Sequence, residues 1–304
     1  MKALKGIWLA IRPLNLIIIL STFFLIRALM NAPVFTDEIE SETSLFQFSL
    51  LALSITLLAA AGNLINDVED VISDAVNRPN SNPVDWLLGI SQSRIAYWML
   101  NATGSGLGLA VLSALDRTSL WLAHLLIMVS LWSYSKYLQK VQWLGNITVA
   151  LLCCIIPLLS LWYGMPDFKV GSRLIVSICY YSGLAFMITL LREVVKDMED
   201  LRGDRHAGYR TAPIMLGIPT TKSILFLLFG LALILEMLLV IFFLKLEPGV
   251  FQILVYIALL ITPLTLSAIS LKGAESPADF HRVSTLLKWT LLLGLGSSLI
   301  FHFL

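Results

Sequence analysis

Long apolar stretches separated by short polar ones run the length of the chain, and their lengths are similar. A helix needs roughly 17 to 25 apolar residues to cross a bilayer. Nine stretches fit that template: about 14–31, 46–65, 93–113, 119–136, 143–163, 173–192, 223–244, 250–271 and 284–303. No linker rich in Pro, Gly or Ser interrupts the series, which predicts one polytopic domain over residues 1–304. The expected fold class is therefore all-α integral membrane. The opening run "MKALKGIWLAIRPLNLIIIL" has a basic start, but Arg12 and Pro13 break it and no small-residue cleavage site follows. That pattern predicts an uncleaved first helix rather than a signal peptide.

Composition supports the same picture. Only 13% of the 304 residues are charged and 58% are hydrophobic, where soluble domains carry about 25% charge. The net charge of +1 gives no electrostatic case for nucleic acid. The three cysteines, Cys153, Cys154 and Cys179, lie in apolar runs without metal-ligand spacing and read as buried small hydrophobes. His124, His206, His281 and His302 are scattered and form no ligand set. Arg27 and Glu236 fall inside apolar runs and each requires a partner or a snorkelling position.

The basic residues set an orientation. Of the 21 Lys and Arg, 16 fall on the side holding the N-terminus and the loops after the second, fourth, sixth and eighth runs. Positive charge stays on the cytoplasmic side, so the N-terminus and these loops are predicted to be cytoplasmic, in a prokaryotic cytoplasmic membrane. The acidic stretch "FTDEIESETS" falls on the outer side as a solvated connector.

The carboxylates are distributed less evenly. Asp67, Glu69, Asp70, Asp74 and Asp85 follow the second run, and Glu193, Asp197, Glu199, Asp200 and Asp204 end or follow the sixth. Asp67, Asp70 and Asp74 stand at i, i+3 and i+7, and Asp197, Asp200 and Asp204 repeat that spacing. On a continuous helix each triplet shares one face, where like charges repel unless a cation neutralises them. Hard oxygen ligands suit Mg²⁺, typically held by carboxylates together with substrate phosphates. Asn63 and Asn66 precede the first triplet by about a turn, and basic side chains including Arg78, Lys136 and Lys196 occupy the same loops. The combination suits a diphosphate head whose tail prefers the bilayer, as in polyprenyl diphosphates.

These residues also resemble a known family. "NDVEDVISD" (66–74) and "KDMEDLRGD" (196–204) resemble the two acidic motifs of the UbiA-type membrane prenyltransferases. "IRPLNL", "NRPN", "YSKYLQKVQWLGN" and "GDRHAGYRTAPIMLG" resemble the flanking segments, so the likeness covers most of the chain. The resemblance implies about nine transmembrane helices around a central cavity and Mg²⁺-dependent transfer from a polyprenyl diphosphate donor to a lipophilic acceptor. By position it implies catalytic roles for Asp70, Asp74, Asp200 and Asp204. The implied metal ligands are those four with Asn66, Asp67 and Asp197. The implied diphosphate contacts are Asn63, Asn66, Arg78, Lys136 and Lys196, with Tyr134 lining the cavity.

The expected chemistry is ionisation of an allylic diphosphate and capture of the cation. Trp98, Trp132, Tyr134, Tyr137, Trp162, Tyr180 and Tyr181 are candidates for a π-rich wall, although a lipid-facing or interfacial anchor is the better account of any one of them. "NRPN" points to the branch acting on geranylgeranylglyceryl phosphate. An aromatic acceptor (4-hydroxybenzoate or naphthoate), a terpene cyclase of the same superfamily and a cation-coupled transporter are the alternatives. After "NRPN" many members continue with a second basic residue and a Ser-Gly turn. This chain has "SNPVDWLLGISQSR", so acceptor contacts are not transferred to that loop.

Overall fold

Pro13 and the residue before it decide where the first long helix starts. Proline disfavours helical backbone in its predecessor, and Arg12 takes a left-handed φ of 53°. That turn separates α1 (Lys2–Ala10) from α2 (Pro13–Met30). The computed structural model describes all residues except Met1, 33–42, 80, 166–172, 245–248, 298 and 301–304. The expected outer connector "FTDEIESETS" lies almost wholly outside the described residues. The remaining helices are α3 (Leu45–Glu69), α4 (Val71–Asn77), α5 (Ile90–Ala114), α6 (Trp121–Lys136), α7 (Leu144–Gly164), α8 (Arg173–Glu199), α9 (Leu201–His206), α10 (Ala212–Leu216), α11 (Ile218–Leu244), α12 (Val250–Gly273) and α13 (Pro277–Gly296). Ser44 with Gln47 and Ser276 with Asp279 form capping boxes at the starts of α3 and α13, satisfying amides that have no intrahelical acceptor.

A helix occupies each of the nine apolar runs. Among the described residues, seven helices are long and apolar enough to cross a bilayer: α2, α3, α5, α7, α8, α11 and α12. Of the other two, α6 has only 16 residues, and α13 carries Asp279, Arg282 and Lys288 along its length.

The chain gathers into two compact units. The first comprises residues 1–21, 43–148 and 200–211, and the second 22–42, 149–199 and 212–304. In the first, α5 and α6 pack against α3 and against each other. Gly108 of α5 leaves room for side chains of both neighbours: a Cβ there would lie 2.2 Å from His124 Nε2 on α6 and 2.7 Å from Ser54 Oγ on α3. Ser54 fills that contact, donating to the Gly104 carbonyl at 2.8 Å and lying 2.8 Å from His124 Nε2. At one end of α3, Ala61, Leu64, Ile65 and Val68 pack with Ala10, Val84, Leu88 and Tyr97. That cluster seats α1 and a π-helical turn at Val84–Leu88 on the end of α3.

In the second unit α8 packs against α11 and α13, and α12 lies between α11 and α13. Tyr181 contacts Ser297 through their hydroxyls at 3.1 Å. Two expectations change here. Cys179 is exposed on α8 and Cys153 and Cys154 are only half-buried, so the thiols are not core hydrophobes. Glu236 is fully buried on α11. Neither of its carboxyl oxygens has a hydrogen-bond partner among the described residues, and burial rules out snorkelling.

Candidate active site

The first acidic motif does not lie on one continuous helix. α3 ends at Glu69, Asp70 sits at φ −91° and ψ 2°, and α4 begins at Val71. Three stacked carboxylates repel one another, and the turn at Asp70 aims them at different partners. The same geometry recurs in the second motif, where Asp200 lies at φ −90° and ψ 6° between α8 and α9. The predicted single face is thus replaced by two matching breaks, each at the middle aspartate.

Each aspartate of the first motif has its own partner. Asp67 is buried and accepts from Arg12 at 2.5 Å. Burial works against the charge on Arg12, but the Asp67 carboxylate beside it outweighs this and holds the guanidinium above its ordinary range. Asp70 accepts from Asn66 at 2.6 Å, Gln139 at 2.9 Å and Tyr209 at 3.3 Å. Burial and the Asp70 charge push the Tyr209 phenol above its ordinary range, so it remains a donor at neutral pH. Asp74 accepts from Asn82 at 2.9 Å. The same amide donates to the Asp67 carbonyl at 2.8 Å. The loop that departs from the family pattern is therefore tied to the motif through Asn82.

The second motif docks onto the first through α4 and α9. Ser73 donates to Asp204 at 2.9 Å, and Arg78 pairs with Asp200 at 2.9 Å. Asn77 donates to the Asp200 carbonyl at 2.9 Å and accepts from the Gly203 amide at 2.7 Å. A Cβ on Gly203 would lie 2.3 Å from the Ser73 carbonyl, so only glycine permits this approach. Residues about 130 positions apart are thereby locked together. The connection after α6 closes the arrangement. Lys140 lies 3.8 Å from Glu69, its ammonium stands 5.7 Å above the Tyr209 ring, and its carbonyl accepts from Arg210 at 2.9 Å.

The structure thus gathers Asn66, Asp67, Asp70, Asp74, Arg78, Asp200 and Asp204 in one unit. Asn63 uses its amide to donate to the Ile11 carbonyl at 2.9 Å. Tyr134 is half-buried and near enough to act on the charge of Arg12. Lys136 is exposed, with its ammonium over the Trp132 and Tyr137 rings. Lys196 and Asp197 lie on the last turn of α8, in the second unit. Among the proposed aromatic wall, Trp98, Trp132, Tyr137 and Trp162 are exposed, as interfacial anchors are, whereas Tyr181 is buried.

Among the described residues no three His, Cys, Asp or Glu side chains converge to enclose an ion. The donor chemistry nevertheless fits a hard cation. The side-chain oxygen of Asn66 is buried and has no partner among the described residues, while its amide nitrogen is engaged by Asp70. An orphaned oxygen beside a carboxylate is the donor type Mg²⁺ takes.

A family model for the UbiA prenyltransferase family matches residues 38–292. The chain belongs to that family. A digeranylgeranylglyceryl phosphate synthase from Pyrococcus horikoshii is 30% identical over 252 residues, 83% of each chain. One from Sulfurisphaera tokodaii is 34% identical over 175 residues, 57% of this chain and 58% of that one. The chain thus matches little more than half the length of the latter. In fold, this UbiA-family chain is similar to a digeranylgeranylglyceryl phosphate synthase structure, with a TM-score of 0.68 and 20% identity over 100% of both chains. It is also similar to a UbiA homologue from Archaeoglobus fulgidus bound to GPP and Mg²⁺, with a TM-score of 0.63 and 16% identity over 96% and 99% of the two chains.

Several residues at this UbiA-family site escaped the sequence reading. Arg12 had a signal, since it interrupts an apolar run beside proline. Asn77 and Gln139 lie in the segments that carry the family resemblance, and Ser73 sits in the spacer of the first motif. Tyr209 lies in the flanking run after the second motif, whereas Asn82 is placed by a loop that no spacing marks.

Proposed function

We propose that the chain transfers a prenyl group from a polyprenyl diphosphate to geranylgeranylglyceryl phosphate, forming an ether lipid, with Mg²⁺ required. The observation that carries this reading is the locking of both acidic helix ends into one carboxylate-lined site by Ser73, Asn77 and Gly203. Two relatives named digeranylgeranylglyceryl phosphate synthase support the choice of acceptor. The site sits where apolar helices end, which suits a charged head on a lipid tail. The excess of Lys and Arg on the same side supports a cytoplasmic site and N-terminus. The family model spans residues of both compact units, which supports their acting as one transferase domain.

The Asn66 oxygen and the Asp70, Asp74, Asp200 and Asp204 carboxylates would hold the metal, joined by Asp67; Asp197, in the second unit, is a candidate ligand by its place in the second motif. When bound, Mg²⁺ supplies Lewis-acid stabilisation of the departing diphosphate. Arg12 and Arg78 neutralise Asp67 and Asp200 and keep positive charge beside the phosphoryl groups. Asn63, Lys136, Lys196 and Tyr134 remain candidate substrate contacts.

The test is a product analysis. Purified protein receives geranylgeranyl diphosphate together with geranylgeranylglyceryl phosphate, 4-hydroxybenzoate or a naphthoate, and products are identified by mass spectrometry. A digeranylgeranyl ether as the main product is expected. A prenylated aromatic, or a cyclised hydrocarbon formed without acceptor, would replace this acceptor assignment.

A further inference from the structure

We propose that Tyr209 and Gln139 are positioning residues that hold the Asp70 carboxylate for a divalent cation and thereby set the affinity of the site for it. The inference rests on the metal-dependent reading above. Three chain segments meet at this one side chain. Asn66, at the end of α3, donates to Oδ2 at 2.6 Å; Gln139, in the α6–α7 connection, and Tyr209, after α9, both donate to Oδ1, at 2.9 and 3.3 Å.

All three donors are neutral, so they orient the carboxylate without cancelling its charge. Asp67 and Asp200 are paired with Arg12 and Arg78. The donors are themselves held firmly. Tyr209 is 9% exposed and its backbone amide donates to the Asp204 carbonyl at 2.9 Å, so the second motif places it. Its ring lies beneath the Lys140 ammonium. Gln139 donates in addition to the Ser135 carbonyl at 2.7 Å, which fixes its amide plane. Partners that orient a metal-binding carboxylate typically change metal affinity by about 10- to 100-fold when removed.

The experiment uses full-length protein in lipid nanodiscs with Mn²⁺ as the probe, read by electron paramagnetic resonance. Tyr209→Phe keeps the ring under Lys140 and removes only the hydroxyl; Gln139→Met keeps length and removes the amide. Each is expected to weaken Mn²⁺ binding by about tenfold or more. The unfolding midpoint in chelator is expected to move by no more than about 4 °C. Transfer activity is expected to recover at high Mg²⁺, so the loss appears in metal affinity rather than kcat. Unchanged Mn²⁺ affinity in both variants overturns the inference, as does weakening that merely tracks a lower unfolding midpoint. Failure of the unaltered protein to bind Mn²⁺ overturns the metal reading itself and this inference with it.

Discussion

Asn77 shows how much of the site rests on a single side chain. Its carbonyl takes the Gly203 amide and its amide reaches the Asp200 carbonyl. Both bonds cross between motifs far apart in sequence. Asn77→Ala leaves both backbone groups without these partners, and a buried group left unsatisfied costs about 1–3 kcal/mol. Denaturant unfolding is expected to show a loss of that order, together with a higher Mg²⁺ requirement for turnover. An unaltered midpoint would show that the two motifs do not depend on this clamp. Asn77 was visible in the sequence only as part of a short segment. Its two-sided bonding needs α9 in place, and no local spacing encodes that.

At the scale of elements, the helices were legible because apolar length and capping residues are local properties. Each of the nine runs holds a helix among its described residues, and Ser44 and Ser276 mark two starts. The break inside each motif was not legible, because i, i+3, i+7 spacing describes an unbroken helix. The turns at Asp70 and Asp200 reflect charge repulsion and distant partners, which periodicity does not register. The α4–α9 contact makes a sharp prediction. Gly203→Ala places a methyl group against the Ser73 carbonyl, so the two short helices must separate. Prenyl transfer is expected to fall at least about tenfold through misplaced carboxylates, while helical content by circular dichroism stays the same. Wild-type rates in Gly203→Ala would refute the close docking. Glu236 predicts the opposite sign of effect. Both its oxygens are unsatisfied among the described residues inside an apolar helix, and replacing such a group by an apolar one stabilises. Glu236→Leu is expected to raise stability by about 1–3 kcal/mol, measured as a higher thermal midpoint in detergent. A lower midpoint would mean that the carboxyl makes a contact the fold depends on.

For the whole molecule, the bias of Lys and Arg predicts which way the chain faces. Ser81 is exposed in the loop that follows the first motif. Ser81→Cys is expected to react with a membrane-impermeant maleimide only in vesicles whose cytoplasmic face is outward. Labelling from the opposite face would reverse the orientation. Family membership was legible because two acidic motifs and their flanks occur in order along most of the chain. The pairing network that joins Arg12, Gln139 and Tyr209 to the motifs arises only when segments 55 to 139 residues apart meet. The central claim is that both acidic motifs serve one metal-dependent prenyl transfer. It is tested most directly by transfer of labelled geranylgeranyl from its diphosphate to geranylgeranylglyceryl phosphate by wild type, Asp70→Ala and Asp200→Ala. Turnover by the wild type only with Mg²⁺, and at least about a hundredfold loss in each variant, is the predicted result. Turnover in chelator, or retained activity in either variant, would contradict it.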